Sequence, residues 1–259
     1  NYRNMRAPLK DINNNIAALS YLESIIPPDS LIDTYCIYSG ASELQLAEDR
    51  RVNCYTNSYV VYEFWRCMID EPQKIFELLT CDDFSFDAPE YYNILQERWF
   101  TYRNPFLRSA LFFMLNRCSE TGLISCGELN QTNYTPLAIA EIKKFKPPEN
   151  FSVQYIKQPG AEVSTLVDFE TNSDYIYIPA KNFSYNLFEE GKSYGPEQTR
   201  VNNRELKNLL NSNKNIILHY NSHKALPNFF KKFKTTMIDK YGKVVYDVKD
   251  SQEVIVANF

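Results

Sequence analysis

With 259 residues, 44% of them hydrophobic and 15% aromatic, the chain can bury one sizeable core, which excludes a disordered protein. With a net charge of −4 and a pI near 5.4, a strongly nucleic-acid-binding surface is not the default reading. Seven glycines are too few for a phosphate-cradling loop, which needs several close together.

The six cysteines (Cys36, Cys54, Cys67, Cys81, Cys118 and Cys126) lie in the first half, and none forms a C-x-x-C pair. The only histidines are His219 and His223, so zinc-site spacing is absent and reduced thiols with no bound metal are expected. No apolar run is long enough to span a bilayer and no signal peptide is visible. The expectation is a cytoplasmic or intracellular protein without a membrane partner. The chain opens on Asn1, not methionine, which allows a trimmed product.

In chain order, residues 11–26 place Ile12, Ile16, Leu19 and Leu22 or Tyr21 on one helical face, stopped by Pro27-Pro28. Leu31 to Tyr38 reads as a buried strand, Ser39-Gly40-Ala41-Ser42 as a small-residue turn, and Glu43 to Ala47 as a short helix. A strand over Arg51–Tyr55 and a helix over Asn57–Met68 complete the opening grammar of a doubly wound α/β fold. From Asp70 to Asn150 the periodicity is helical, most clearly over Pro105–Arg117, with proline at the first turn and Leu107, Ala110, Leu111 and Met114 on one face. Strands follow at Phe151–Tyr155 and Tyr175–Ile178, the second ended by Pro179. A helix over Arg204–Leu210 leads to a strand at Ile216–Tyr220, and Val244–Val248 with Glu253–Phe259 reads as a closing hairpin or strand pair. No internal repeat or low-complexity segment is present.

Residues 91–123, YYNILQERWFTYRNPFLRSALFFMLNRCSETGL, resemble the Dam-like adenine-specific DNA methyltransferases. Pro105, Arg108, Ala110, Leu111, Phe112, Leu115, Asn116, Arg117, Gly122 and Leu123 fit that family's central helix and the turn after it, whereas Thr121 replaces its asparagine. Lys10 is similar to its opening Gly-Gly-Lys, Leu31–Tyr35 to its first strand, Asn57 to its Asp-Ile-Asn, and Glu253–Phe259 to its closing strand. The resemblance covers essentially the whole chain. It implies a Rossmann-like α/β methyltransferase domain at 1–67 and 151–259, with a helical insertion at 68–150 like the family's DNA-recognition subdomain.

At the family's Asp-Pro-Pro-Tyr loop this chain has Ile178, Pro179, Ala180 and Lys181. An adenine amino nitrogen is a poor nucleophile. The family's carboxylate accepts its hydrogen bond while the aromatic ring stacks on the flipped base. Ile178 offers no acceptor and Lys181 no ring, a loss worth roughly 10²–10³ in rate. The resemblance also marks Lys10, Asp33, Ser39, Gly40 and Tyr55 as vestigial S-adenosylmethionine positions, with Tyr55 where an acid would hold the ribose.

Several of these residues admit two readings. Asp33 is a cofactor-site carboxylate or a strand-end acid. Asn116 and Arg117 face DNA, or Arg117 simply complements the end of a helix dipole. Lys231, Lys232 and Lys234, with neighbouring lysines and Phe229, Phe230, Phe233 and Tyr241, bind nucleic acid or form an amphipathic helix with a solvated side. His219 reads as a satisfied strand-end histidine. The expected function is that of a catalytically degenerate methyltransferase-like subunit that binds a protein or DNA partner, with no cofactor unless the S-adenosylmethionine pocket survives. The alternative is an active adenine methyltransferase with an atypical loop. Heavy Asn, Lys and Tyr use suits a viral or phage protein.

Overall fold

Short β-branched and aromatic runs become strands, and the central parallel ones are buried on both faces, as such runs require. The computed structural model describes residues 7–14, 16–81, 89–125, 128–184 and 195–259. Within them β1 (Leu31–Tyr35), β2 (Arg51–Thr56), β3 (Phe151–Tyr155), β4 (Tyr175–Lys181) and β5 (Asn215–Asn221) are joined by β6 (Lys234–Ile238), β7 (Val244–Val245) and β8 (Glu253–Ala257). The sheet order is β3-β2-β1-β4-β5-β8-β6-β7. β1 to β5 run parallel, and β8 runs antiparallel between β5 and β6. The chain thus winds outward from β1 to β3 and returns to set β4 on the other side of β1, the doubly wound α/β order with two reversed strands, β8 and β7, added beyond β5.

The helices are α1 (Leu19–Ile25), α2 (Ala41–Leu46), α3 (Tyr59–Asp70), α4 (Pro72–Leu79), α5 (Pro89–Arg98), α6 (Pro105–Cys118), α7 (Pro136–Lys144), α8 (Val163–Leu166), α9 (Asn203–Leu209) and α10 (Leu226–Phe229). Alternate residues of β4 enter two cores: Tyr177 joins the one under α1 to α7, and Ile176 and Ile178 the one under α8 to α10. The helices between β2 and β3 therefore share a hydrophobic core with the sheet. α6 is capped by Asn104, whose side chain accepts from the Phe106 and Leu107 N–H groups, with Pro105 at its first turn. Its buried residues run all round, Ser109 and Asn116 included, so it is a core helix and not a surface one.

Four expectations change. The first helix is only Leu19–Ile25, and Ile12 and Ile16 are exposed, because the asparagine-rich stretch before it favours turns. Pro179 does not end β4. The strand runs to Lys181, with a shift in its pairing to β5 between Pro179 and Lys181 that accommodates the missing N–H. The basic-aromatic stretch is no amphipathic helix: α10 spans four residues, and Lys234 to Ile238 pair with β8. β8 lies between β5 and β6 and does not pair with β7.

Candidate strand-end site

In a doubly wound sheet a ligand crevice opens where the strand order reverses, here at the C-terminal ends of β1 and β4. A cavity of about 350 Å³ opens there, lined among others by Cys36, Tyr38, Thr121, Ala180 and Asn182. Lys181 stands in its mouth. Its φ of 60° is left-handed, and its Nζ is 2.6 Å from Asp11 Oδ2 and 4.7 Å from the Tyr38 ring centre. The position that the resemblance gives to a stacking aromatic therefore carries an ammonium already paired with a carboxylate and a ring. Ile178 is fully buried in the sheet core and has no polar atom to offer.

The Asp11 segment is held from behind by α6. Asn116, fully buried, accepts from the Lys10 N–H at 2.7 Å and donates to the carbonyls of Lys10 (2.9 Å) and Gly122 (2.8 Å) and to the Tyr38 hydroxyl. The Lys10 ammonium donates to the Ser119 carbonyl at 2.7 Å. Gly122 has φ 90°, and a Cβ there would lie 2.2 Å from the Lys10 carbonyl oxygen, so only glycine fits. Arg108 pairs with Glu63 and ties α6 to α3. Arg117 donates to the Pro8 carbonyl, lies over the Phe113 ring and has its pKa lowered by burial. The residues of the central motif thus have structural work, and Asn116 has no exposed surface to present to DNA. Arg117 instead borders a second cavity of about 690 Å³ on the far side of the Asp11 segment, with Lys10, Gln45 and Leu137.

Glu43, on the first turn of α2, is 4% exposed beside this crevice. Burial pushes its carboxyl from 4.5 up to about 7, and Asp11 adds to the rise, while its own backbone, Lys181 and Thr34 oppose it. Cys36, buried with φ 69°, has its thiol pushed up to about 12 by burial, so it is no nucleophile at neutral pH. Beneath the crevice a buried chain runs across three strands. The Tyr177 hydroxyl lies 2.8 Å from His219 Nδ1, and His219 Nε2 lies 2.9 Å from Glu253 Oε2. Glu253 also accepts from the Ala17 and Ala18 N–H groups. Burial raises Glu253, but His219 and these N–H groups outweigh it and hold its pKa below the usual value. His219 thus has a polar partner at each ring nitrogen and is a satisfied core histidine.

The positions that the resemblance assigns to S-adenosylmethionine are engaged with protein neighbours. Asp33 is buried within β1, where it accepts from Asn53 Nδ2 at 3.2 Å, and Ser152 donates to Asn53 in turn, a polar ladder across three strands. Ser39 is buried, and Gly40, with φ 68°, is required because a Cβ would lie 2.8 Å from the Trp65 ring. Tyr55, where the resemblance implies an acid, stacks on Tyr35 with ring centres 5.2 Å apart. Lys10 is committed to Ser119. Asn57 ties the loop before α8, donating to the carbonyls of Gln158 and Ala161. Lys231, Lys232 and Lys234 are exposed at the start of β6, at the sheet end away from the crevice.

Asp11, Tyr38 and Glu43 shape the crevice and were not singled out in the sequence. No local signal could have found Asp11, whose partner lies 170 residues away. Glu43 carried a weak one, an acid in the first turn after the small-residue loop. Among the described residues no group of three or more His, Cys, Asp and Glu side chains could hold a metal ion, and no helix is long and apolar enough to cross a membrane. Neither a protein-family model nor a curated protein sequence matches this chain.

Proposed function

We propose that this chain is a Rossmann-like methyltransferase domain that has lost methyl transfer and serves as a binding or scaffold subunit for a protein or nucleic-acid partner. One observation carries the reading. At the loop where the resemblance implies a carboxylate and a stacking ring, Ile178 is sunk in the core and Lys181 is closed onto Asp11 and Tyr38. An adenine amine placed there would meet no acceptor from Ile178 and a cation from Lys181, the reverse of what its nucleophilicity needs. The doubly wound sheet and the helix that resembles the family's central motif support common ancestry. The stacking of Tyr55 on Tyr35, where the resemblance implies an acid, supports the loss of the donor.

S-adenosylmethionine should be titrated into the full chain by calorimetry, with thermal melting alongside. The expected result is no saturable heat and no melting shift at millimolar ligand. Saturable binding together with transfer of labelled methyl groups to DNA would overturn the proposal in favour of an active adenine methyltransferase with an atypical loop. Both assays should be repeated on Lys181→Ala, which vacates the mouth of the crevice. Binding gained only in that variant would identify Lys181 as the residue that closes it.

A further inference from the structure

The segment from Ser222 to Asp250 is charged against the rest of the chain. It holds seven lysines and three aspartates, a net of +4 in a chain whose net is −4. All seven lysines are exposed, and none is in an ion pair with another of the described residues. Asp239 accepts from the Tyr241 and Lys243 N–H groups and Asp247 from that of Lys249, so two of the three acids shape turns.

Register distributes these charges along one edge of the sheet. Lys234 pairs with Ala257, which puts Lys231, Lys232 and Lys234 at one end of β6. Ile238 and Asn221 both pair with Glu253, so the β6–β7 turn with Lys240 and Lys243 lies at the crevice end. Lys249 joins them there, since the Gln252 N–H donates to the Ile238 carbonyl. At the rise of a strand, the two groups are ~15 Å apart along the edge, a span of a few phosphates.

Two rings stand on this edge, Tyr241 in the β6–β7 turn and Tyr246 just past β7. Tyr241 is 74% exposed and Tyr246 is 93% exposed, so neither contributes to the core. The Lys240 ammonium lies 4.9 Å from the Tyr241 ring centre. An open aromatic face beside an ammonium suits an unpaired base and its phosphate, ring on base and cation on backbone. A duplex keeps its bases stacked on one another, and an acidic protein or lipid surface would use the lysines alone.

We infer that the β6–β7 edge binds single-stranded nucleic acid, with the backbone along the lysines and bases stacked on Tyr241 and Tyr246. This surface is separate from the strand-end crevice and does not depend on the reading of it.

The test is fluorescence anisotropy of the full chain with a labelled oligothymidine of roughly 15 nucleotides, a matching duplex, and heparin as a base-free polyanion. The oligothymidine is expected to bind at low salt, with affinity falling by about 0.7 log units per log unit of salt for each phosphate engaged. Replacing Lys240, Lys243 and Lys249 by glutamate should weaken it at least tenfold. Tyr241→Ala with Tyr246→Ala should weaken oligothymidine by about tenfold and leave heparin unchanged. Unchanged melting midpoints would establish that the variants fold. Absent binding, equal affinity for duplex, an unaffected lysine variant, or a tyrosine variant that alters heparin and oligothymidine alike would each overturn the inference. S-adenosylmethionine calorimetry reports on the crevice alone, so failure here leaves that reading standing.

Discussion

α6 and the end of β4 grip the same neighbour, the Lys10–Asp11 segment, by different means. From α6 the grip is neutral and dry: Asn116, with no exposed surface, bonds the backbone of Lys10 in both directions. From β4 it is a single ion pair, in which the Lys181 side chain remains 28% exposed while that of Asp11 is only 6% exposed, so water reaches the pair from the lysine side. Buried polar groups lose heavily when a partner is removed, whereas a partly solvated ion pair has water as a substitute. The first contact fixes where the segment lies. The second can be opened without dismantling the fold.

That contrast breaks if the two contacts prove equally strong. Asn116→Ala would orphan buried donors and acceptors and should cost ~3–5 kcal/mol in urea unfolding, with little dependence on salt. A loss below about 1 kcal/mol would remove Asn116 as the anchor.

Glu43 allows a sharper test on the β4 side. Its folded value is about 7 against an ordinary 4.5, so the folded state holds an extra proton between those pH values. Stability therefore falls as pH rises from about 4.5 to 7 and stays reduced above. Glu43→Gln keeps the shape of the protonated acid. It should raise stability at pH 8 by up to ~3 kcal/mol and change little at pH 4. Melting curves at both pH values check this, and an equal effect at each would contradict the buried-acid account.

The smallest effect is expected of Lys181→Met, about 1 kcal/mol or less, shrinking in high salt. A double-mutant cycle with Asp11→Asn measures the pair directly. A coupling as large as the Asn116 effect would erase the distinction between anchor and latch.

Much of the frame could be read before folding. Buried runs announced β1, β4 and β5, and proline with a hydrophobic period announced α6 nearly to its ends. The Lys231–Lys234 stretch misled because its phenylalanine spacing also fits a helix face. Thr235, Thr236 and Ile238 favour a strand, and β8 supplied the partner that settled it. The crevice was harder. The residues at the end of β4 were legible as unlike the loop of the family that the chain resembles, but their contacts in the structure were not. They depend on Asp11, brought in by hydrogen bonds from a helix a hundred residues away. The DNA-facing reading of Asn116 failed for the same reason: an asparagine near a helix end gives no local sign that three backbone groups will converge on it.

The position of β8 also bears on how the chain is made. Among the described residues β6 reaches the sheet only through β8, and Glu253 at the start of β8 takes the N–H groups at Ala17 and Ala18. During synthesis the start of α1 emerges long before that carboxylate exists. Until β8 arrives, β5 has an open edge and His219 has no acid beside it. A nascent chain ending before Glu253 is thus exposed to aggregation through its bare strand edge, the hazard of long-range β pairing. Closure of the sheet and docking of the opening segment are predicted to come late and together.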